Sequence, residues 1–277
     1  MSTKSILVTG CSAGGIGEAL AVALAMRGHR VFATARDPAK VPESLSSLSN
    51  VTVLRLDVLS PASVADAVKA VSESGQGLDI LVNNAGCGYA QPILDVDIAR
   101  AQQLFDTNLW GPIRMIQAFS DLLITSQGRI VNVSSVGAIL NTPWIATYAA
   151  SKAALDAVSE TLRLELSPFG VSVITIMAGT INSQFHANDS NFGLPPNSRY
   201  TPIKDIIASW ASGEAKPKGC SSKEFAQSIV DDMLGGGGYA VKGVQGTLGW
   251  HDEDFFMSQG QGLKELSQRL GKDANGK

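Results

Sequence analysis

Six short apolar runs recur along the first 180 residues, and each is followed by a turn or a helical pattern. Near-continuous apolar strands separated by helices are typical of a parallel sheet that is covered on both faces. Right-handed crossovers then predict a single α/β domain with a Rossmann-type doubly wound parallel sheet of about seven strands. The predicted strands are 5–9, 30–35, 51–56, 79–82, 129–133 and 171–176, and the predicted helices are 16–27, 61–74, 97–123, 147–167 and 222–234.

Composition excludes several classes of protein. Hydrophobic residues make up 44% of the 277 residues, which is enough for a sizeable core. A net charge of −3 without any basic run argues against a nucleic-acid partner. The absence of a long apolar run argues against a transmembrane helix, and a strand that starts within five residues leaves no room for a signal peptide. The three scattered cysteines fit a reducing compartment and show no metal-ligand spacing, so we expect a cytoplasmic protein without a metal.

A glycine-rich turn at residues 9–17 joins the first strand to the first helix. Small residues there allow the backbone to approach a pyrophosphate, and the helix N-terminus offers free N–H groups and the positive end of its dipole. Because the turn lies within a βαβ unit, it predicts a dinucleotide site rather than a plain turn. The residues that we assign to this site are Gly10, Ser12, Gly15, Ile16 and Gly17.

The end of the second strand discriminates between the two nicotinamide cofactors. NAD sites of this type place an acidic residue about 20 positions after the glycines, where it binds the ribose 2′-hydroxyl. That position is Ala35 here, and Arg36 follows it. A guanidinium suits a 2′-phosphate, so the sequence favours NADP(H). Asp37 precedes Pro38 and is predicted to be a turn residue.

Tyr148 and Lys152 lie four residues apart in an Ala-rich helical run, and Ser135 lies thirteen residues before the tyrosine. The i, i+4 spacing places the phenol and the ammonium on one face of the helix, roughly 6 Å apart along its axis. An ammonium held beside a phenol favours the phenolate, so we expect Lys152 to lower the pKa of Tyr148 from its usual value near ~10. The spacing alone is also common on ordinary surface helices.

Taken together, these motifs resemble those of the short-chain dehydrogenase/reductase family over residues 4–183. The match includes motifs in the family's order beyond those already described: Asp57-Val58 after strand three, Asn83-Asn84-Ala85-Gly86 after strand four, and Asn108 in the 97–123 helix. The resemblance implies that Asp57 and Val58 flank the adenine, and that Asn84, Ala85 and Gly86 line the ribose side. Asp57 as a strand-end cap remains an alternative reading.

The resemblance also implies a mechanism for the reduction of a carbonyl by NADPH. Ser135 would polarise the carbonyl oxygen, Tyr148 would donate a proton, and Lys152 would also bind the nicotinamide ribose. Asn108 would hold a water that links Lys152 to solvent, although a core amide with satisfied hydrogen bonds is the competing account. Ser134 is the alternative to Ser135 as the polar partner.

The sequence departs from the family pattern in two places. The glycine turn is one residue longer, so that either Gly14 or Gly15 is the insertion, and we align Gly15-Ile16-Gly17 with the start of the helix. After strand six the usual Pro-Gly is Ala178-Gly179, which removes a fixed φ and restores an N–H. Gly179, Ile181 and Ser183 still match positions that contact the nicotinamide end of the cofactor.

Residues 184–221 are rich in proline and glycine and are predicted to form an irregular substrate lid. Its aromatic residues would either line an apolar pocket or anchor the lid to the body; these residues are Phe185, Phe192, Tyr200 and Trp210, with Trp144 nearby. Ser221 and Glu224 are predicted to form a capping box on the last helix. Residues 244–277 extend the chain beyond the family core, with Leu263, Leu266 and Leu270 on one helical stripe.

The sequence therefore predicts an NADPH-dependent reductase of a lipophilic ketone or aldehyde. It is similar to the fungal branch near acyl-dihydroxyacetone phosphate reductases and to 17β-hydroxysteroid or retinol dehydrogenases. An acyl-dihydroxyacetone phosphate substrate would need a phosphate clamp, for which the candidates are Arg199, Lys204, Lys216 and Lys218. A non-catalytic NADPH sensor is the alternative from another class. The resemblance implies a homodimer or homotetramer built through the helices at 97–123 and 147–167.

Overall fold

The computed structural model describes residues 2–186, 192–235 and 242–243. A seven-stranded parallel sheet lies at its centre, in the order β3-β2-β1-β4-β5-β6-β9. The strand order reverses between β1 and β4, which is where a doubly wound sheet opens a crevice at the carboxyl ends of its strands. The strands are β1 (Ser5–Val8), β2 (Arg30–Ala35), β3 (Val51–Arg55), β4 (Ile80–Asn83), β5 (Arg129–Ser135), β6 (Ser172–Ala178), β7 (Ile181–Asn182), β8 (Cys220–Ser221) and β9 (Lys242–Gly243).

The helices cover both faces of this sheet, as predicted. They are α1 (Ile16–Met26), α2 (Glu43–Ser46), α3 (Pro61–Glu73), α4 (Ile98–Phe105), α5 (Gly111–Ser126), α6 (Ala146–Leu166), α7 (Lys204–Ala211) and α8 (Ser222–Leu234). Shorter 3₁₀ turns lie at Pro38–Lys40, Ile93–Asp95, Val136–Ala138, Ser167–Phe169 and Thr201–Ile203. The capping box predicted for α8 is confirmed by reciprocal hydrogen bonds between Ser221 and Glu224.

The single helix predicted over 97–123 is wrong in one respect. It is divided into α4 and α5 by a π-helical turn at Asp106–Trp110, where the Gly111 N–H donates to the Asp106 carbonyl five residues earlier. Pro112 lies in the first turn of α5, and because proline has no N–H it cannot continue the i→i−4 hydrogen bonds of a regular helix, which fits a π turn directly before it. Asn108 lies within the π turn rather than in a regular helix.

Two apolar layers hold the helices against the sheet. Side chains on one face, including Ile6 and Val8, are buried against α1 and α8. Leu7 points to the other face, where it is buried with Phe119 from α5 and residues of α3. Because successive residues of a strand face opposite sides, the uninterrupted apolar run of β1 serves both layers.

The segment from 184 to 221 is more regular than the sequence predicts. It contains a 3₁₀ turn and α7, with Ile203, Ile207 and Ala211 buried on one side. The ends of the segment are joined by parallel pairing of β7 with β8. The predicted C-terminal extension at 244–277, with its leucine stripe, lies outside the described residues. None of the described helices is long and apolar enough to cross a membrane.

A buried guanidinium links the sheet to the end of α8. Arg129, which is only 9% exposed, donates from Nη1 to the carbonyl oxygens of Asp232 (3.2 Å) and Met233 (2.8 Å). Its Nε donates to Ser172 Oγ at 2.9 Å. The last carbonyls of a helix have no partner within the helix, so this side chain satisfies groups that would otherwise be buried and unpaired.

We therefore expect the substitution Arg129→Met to lower the free energy of unfolding by about 2–3 kcal/mol, because it removes charge-assisted hydrogen bonds and leaves buried carbonyls unpaired. Urea denaturation followed by circular dichroism measures this change. Arg55→Met, at an exposed position of the same sheet, is the control and should change the free energy by less than about 0.5 kcal/mol. Equal effects of the two substitutions would contradict the assigned role of Arg129.

Candidate active site

The glycine-rich turn brings the start of α1 unusually close to the end of β1. A Cβ atom on Gly17 would lie 2.4 Å from the Gly10 carbonyl oxygen and 2.5 Å from Asn84 Nδ2, so no side chain fits there. Asn84 Nδ2 donates to the carbonyl oxygens of Thr9 (2.8 Å) and Gly10 (3.2 Å), which fixes the loop after β4 against this turn. Ser12, Gly15 and Ile16 complete the turn, as predicted.

The start of α1 is open to an anion. Its N-cap residue is Gly15, which has no side chain to accept a capping hydrogen bond. The N–H groups of the first turn therefore stay available to an anion. Gly14 has a positive φ of 73° and lies outside the helix, where its N–H donates to Glu18. These features fit the pyrophosphate of a dinucleotide: the backbone is bare and the helix dipole points at it. The alignment of Gly15-Ile16-Gly17 with the helix start agrees with the structure.

At the ribose end of the predicted site a cation follows β2, and two nearby carboxylates accept backbone hydrogen bonds. Arg36 follows β2 and is exposed. Asp37 Oδ1 accepts from the Ala39 N–H at 3.1 Å and caps the 3₁₀ turn. This agrees with the prediction that Asp37 is a turn residue. Asp57 Oδ1 accepts from the Leu59 N–H at 3.0 Å, which matches the strand-end cap reading. Val58 is buried beside Gly111, and contact of Asp57 or Val58 with adenine remains a prediction.

Ser135, Tyr148 and Lys152 come together where β5 ends and α6 begins. Ser135 is the last residue of β5, and its Oγ accepts from the Gly137 N–H at 3.1 Å. The Ser135 hydroxyl also hydrogen-bonds the Tyr148 phenol. Lys152 is 5% exposed, and its Nζ donates to the Val133 carbonyl at 2.9 Å. The strand turns Ser134 away from the phenol, so Ser135 is the partner of Tyr148.

The expected direction of the Tyr148 pKa shift is wrong for this structure. Burial of the phenol raises its pKa to about 12, against a smaller lowering by the Ser135 hydrogen bond. Burial also lowers the pKa of Lys152 to about 8. The helical spacing predicts that the two groups share one face, but it carries no information on desolvation. Desolvation is the larger effect on the pKa of both groups. The phenol is therefore protonated at neutral pH.

Asn108 acts as a clamp between the loop after β4 and helix α6. Its Nδ2 donates to the Cys87 carbonyl (2.9 Å) and to Ser151 Oγ (3.1 Å), and its Oδ1 accepts from the Cys87 N–H (2.9 Å). The side chain thus matches the account of a fully buried amide with satisfied hydrogen bonds. A Cβ on Gly86 would lie 3.2 Å from Asn108 Oδ1 and 3.6 Å from Lys152 Nζ, which shows how closely these three residues meet.

The nicotinamide end of the predicted site follows β6. Gly179 comes directly after that strand, Ile181 is buried in β7, and Ser183 Oγ accepts from the Phe185 N–H at 3.4 Å. Their contacts with a cofactor remain predictions, as do those of Ala85 and Gly86.

The aromatic residues of the lid divide between the two roles that the sequence left open. The Phe185 ring lies edge-on to Tyr148, with centroids 5.7 Å apart, and fills the space above Gly88. Trp144 instead packs against Trp210 at 6.5 Å and is buried in a separate cluster that anchors the lid to the body. That cluster also contains Ile203, Ile207, Phe192 and Tyr200. Trp144 has a positive φ of 66°, for which the sequence carried no signal.

Comparison with known proteins gives this arrangement its context. A family model described as short chain dehydrogenase matches residues 4–192. The chain belongs to the short-chain dehydrogenase family. This is a family of oxidoreductases that act on CH–OH and C=O groups with a nicotinamide cofactor.

The curated relatives include the following two fungal proteins. The chain is 43% identical to a short-chain dehydrogenase, PC-15, of Penicillium crustosum over 252 residues, which covers 90% of this chain and 92% of the relative. It is 37% identical to an NADPH-dependent 1-acyldihydroxyacetone phosphate reductase of Schizosaccharomyces pombe over 239 residues, covering 84% and 79% of the two chains. Among solved structures, a short chain dehydrogenase of Burkholderia cenocepacia in complex with NADP is 26% identical with a TM-score of 0.69, covering 99% and 97%.

We expect Gly17→Ala to weaken binding of a nicotinamide dinucleotide at least about tenfold, because the added methyl must push α1 away from the turn that holds the pyrophosphate. Titration of NADPH fluorescence against the protein measures this affinity. Gly193→Ala is the matched control, since a Cβ at Gly193 meets no described atom within 4 Å. Unchanged affinity in Gly17→Ala would contradict the placement of the pyrophosphate.

Proposed function

We propose that this protein is an NADPH-dependent reductase that converts a lipophilic ketone or aldehyde to the alcohol, with Tyr148 as the general acid. The observation that carries the proposal is the contact between the Ser135 hydroxyl and a half-buried, protonated Tyr148, with the buried Lys152 one helical turn away. When bound, the reduced cofactor supplies the hydride. The protein's own residues bind the carbonyl, orient it and deliver the proton.

The protonation states of the site residues fit the reduction of a carbonyl. A ketone carbonyl that accepts a hydride becomes an alkoxide, which is a far stronger base than a phenolate, so a phenol with a pKa near 12 still donates its proton readily. The Ser135 hydroxyl donates to the same oxygen and polarises it beforehand. Lys152 supplies a positive charge that stabilises the phenolate left behind. Asn108 keeps the loop after β4 in place beside these groups.

The preference for NADP(H) rests on the charges around the end of β2. Arg36 is exposed there, whereas the carboxylate of Asp37 is already engaged as a cap and lies past the strand. A guanidinium forms charge-assisted hydrogen bonds with a phosphate. The NADPH dependence of the Schizosaccharomyces pombe relative and the NADP complex of the Burkholderia cenocepacia protein support the same choice.

The substrate side favours an apolar molecule. Phe185 forms a ring wall beside Tyr148, and Tyr89 and Cys87 lie in the small apolar cluster that contacts the phenol. We propose that this apolar substrate is a secondary metabolite. Reduction of an acyl-dihydroxyacetone phosphate is the alternative, and its clamp would draw on the lid cations Arg199, Lys204, Lys216 and Lys218. Arg199, Lys204 and Lys218 are exposed.

We further propose a cytoplasmic homodimer or homotetramer. The three cysteines all lie in the described part of the chain and form no disulfide there, which fits a reducing compartment. Ile98, Trp110 and Leu164 are large apolar side chains exposed by 67%, 51% and 63% on the segments that the family resemblance places between subunits. Exposed apolar residues of this size are typical of surfaces that associate. Sedimentation of the purified protein measures the oligomeric state.

The function is tested by NADPH oxidation with a panel of lipophilic ketones, aldehydes and an acyl-dihydroxyacetone phosphate. We expect turnover by the wild type and a loss of at least about 10³-fold in kcat for Tyr148→Phe, which removes the proton donor and keeps the ring. Tyr200→Phe, which removes a phenol in the lid anchor, should retain activity. NADPH binding without any turnover by the wild type would instead favour the non-catalytic sensor.

For the cofactor, we expect Arg36→Asp to lower kcat/KM for NADPH by about two orders of magnitude and to raise it for NADH, because the substitution replaces an attraction to the 2′-phosphate by a repulsion. Steady-state kinetics with both cofactors give the ratio. Arg30→Gln, at the other end of the same strand, should leave the ratio unchanged. An NADPH preference that survives Arg36→Asp would rule out this assignment.

A further inference from the structure

Asp156 is a half-buried acidic residue that the proposed mechanism does not use. It lies on α6 four residues after Lys152, so the two side chains share one face of the helix. Its Oδ1 is buried without a hydrogen-bond partner among the described residues, and so is the Oγ of Ser134. Buried polar atoms without partners are uncommon in native proteins and call for an explanation.

Ser134 and Asp156 face each other across the contact between β5 and α6. Asn132, two residues before Ser134 on the same face of β5, donates to Ser159 Oγ at 2.8 Å, three residues after Asp156 on α6. Moving two residues forward along β5 and three residues back along α6 from this pair places Ser134 opposite Asp156. The Ser134 hydroxyl lowers the pKa of the Asp156 carboxyl against the raising effect of burial. Each group can thus meet the hydrogen-bonding need of the other.

Lys152 is the cation next to this pair. Its Nζ bonds the carbonyl of Val133, the residue adjacent to Ser134. Burial lowers the pKa of Lys152 to about 8, and the Asp156 charge acts in the opposite direction. The ammonium would otherwise lose its charge near physiological pH.

The other groups that face Lys152 do not replace this carboxylate. On α6 these are Tyr148, which is protonated, and Glu160, which is one turn beyond Asp156 and pairs with Arg163 at 3.4 Å. The loop after β4 contributes the Cys87 thiol, and the π turn contributes the Asn108 amide, while Asp106 of the same turn pairs with Arg114. Arg129 at the start of β5 donates to carbonyls of α8, and Arg100 of α4 lies over the Tyr89 ring at 4.6 Å.

We propose that Asp156 is a positioning residue that holds Lys152 in its charged form, and that Ser134 in turn holds Asp156 ionised. The inference rests on the proposed reductase function, since it assigns the charge of Lys152 to a specific counter-ion. It gives Ser134, the first serine of the Ser134-Ser135 pair, a role on the opposite side of β5 from the substrate.

The kinetic test is the pH profile of kcat/KM for ketone reduction. Reduction needs Lys152 charged and Tyr148 protonated, so activity falls as pH rises past about 8. The charge of Asp156 raises the pKa of both groups. Asp156→Asn should therefore move the alkaline limb to lower pH by about one unit, and Asp156→Glu should restore it. Glu165→Gln makes the same change in net charge at an exposed position of α6 and should leave the limb in place.

The second test uses the protein without cofactor or substrate. The folded pKa of Lys152 lies below its value in the unfolded chain, about 10.4, so this group by itself makes stability rise with pH between about 8 and 10. The buried Cys11 thiol, whose folded pKa is raised to about 12, opposes that rise above about pH 9 equally in the wild type and the variant, and the difference between their curves reports on Lys152. In Asp156→Asn the rise should begin at lower pH. In a Lys152→Met background, Asp156→Asn should no longer change that window.

These outcomes separate the inference from the proposed function. The role of Asp156 would be overturned if the alkaline limb stayed in place in Asp156→Asn. It would also be overturned if Asp156→Asn still shifted the pH dependence of stability in the Lys152→Met background. Absence of turnover in the wild type would overturn the reductase proposal instead, and the stability cycle would still decide whether Asp156 holds the charge of Lys152.

Discussion

The hydroxyl of Thr9 joins two strands at the point where the order of the sheet reverses. It accepts from the N–H groups of Asn84 and Ala85, both at 2.9 Å, and lies 3.2 Å from the Val82 carbonyl. One side chain thereby fixes the ends of β1 and β4 relative to each other. The glycine turn continues from β1 and the loop that Asn108 clamps continues from β4, so both halves of the candidate site depend on this junction.

Desolvation governs the electrostatics of the site more than the pairing of charges does. It raises the pKa of Tyr148 and lowers that of Lys152, so each group is driven towards its neutral form. A neutral phenol suits a proton donor, whereas a neutral amine does not suit a residue that must stabilise a phenolate. The site therefore needs a compensating negative charge for the lysine but not for the tyrosine, and this is the role proposed for the Asp156 carboxylate on α6.

Much of this architecture could be predicted from local patterns, since apolar runs and turn residues act over a few positions. The strands, the glycine turn and the meeting of Ser135 with Tyr148 agree with the structure. Features that depend on tertiary burial could not be predicted in this way: the direction of the Tyr148 pKa shift and the left-handed conformation of Trp144 are examples. Two further features do carry a local signal in the sequence. Gly111-Pro112 marked the break in the predicted 97–123 helix, and the spacing of Ile203, Ile207 and Ala211 marked α7.

The π turn at Asp106–Trp110 has a consequence for how this chain tolerates changes in length. A π turn spreads over five residues the rotation that an α-helix completes in four, so the turn absorbs one extra residue without rotating α5 relative to α4. Deleting one residue from the turn would restore a regular α-helix and keep Met115 and Phe119 buried against the sheet. The same deletion within α5 would rotate the following side chains by about 100° and expose part of one core layer. The turn is therefore the point along these two helices where the chain tolerates the loss of a residue best.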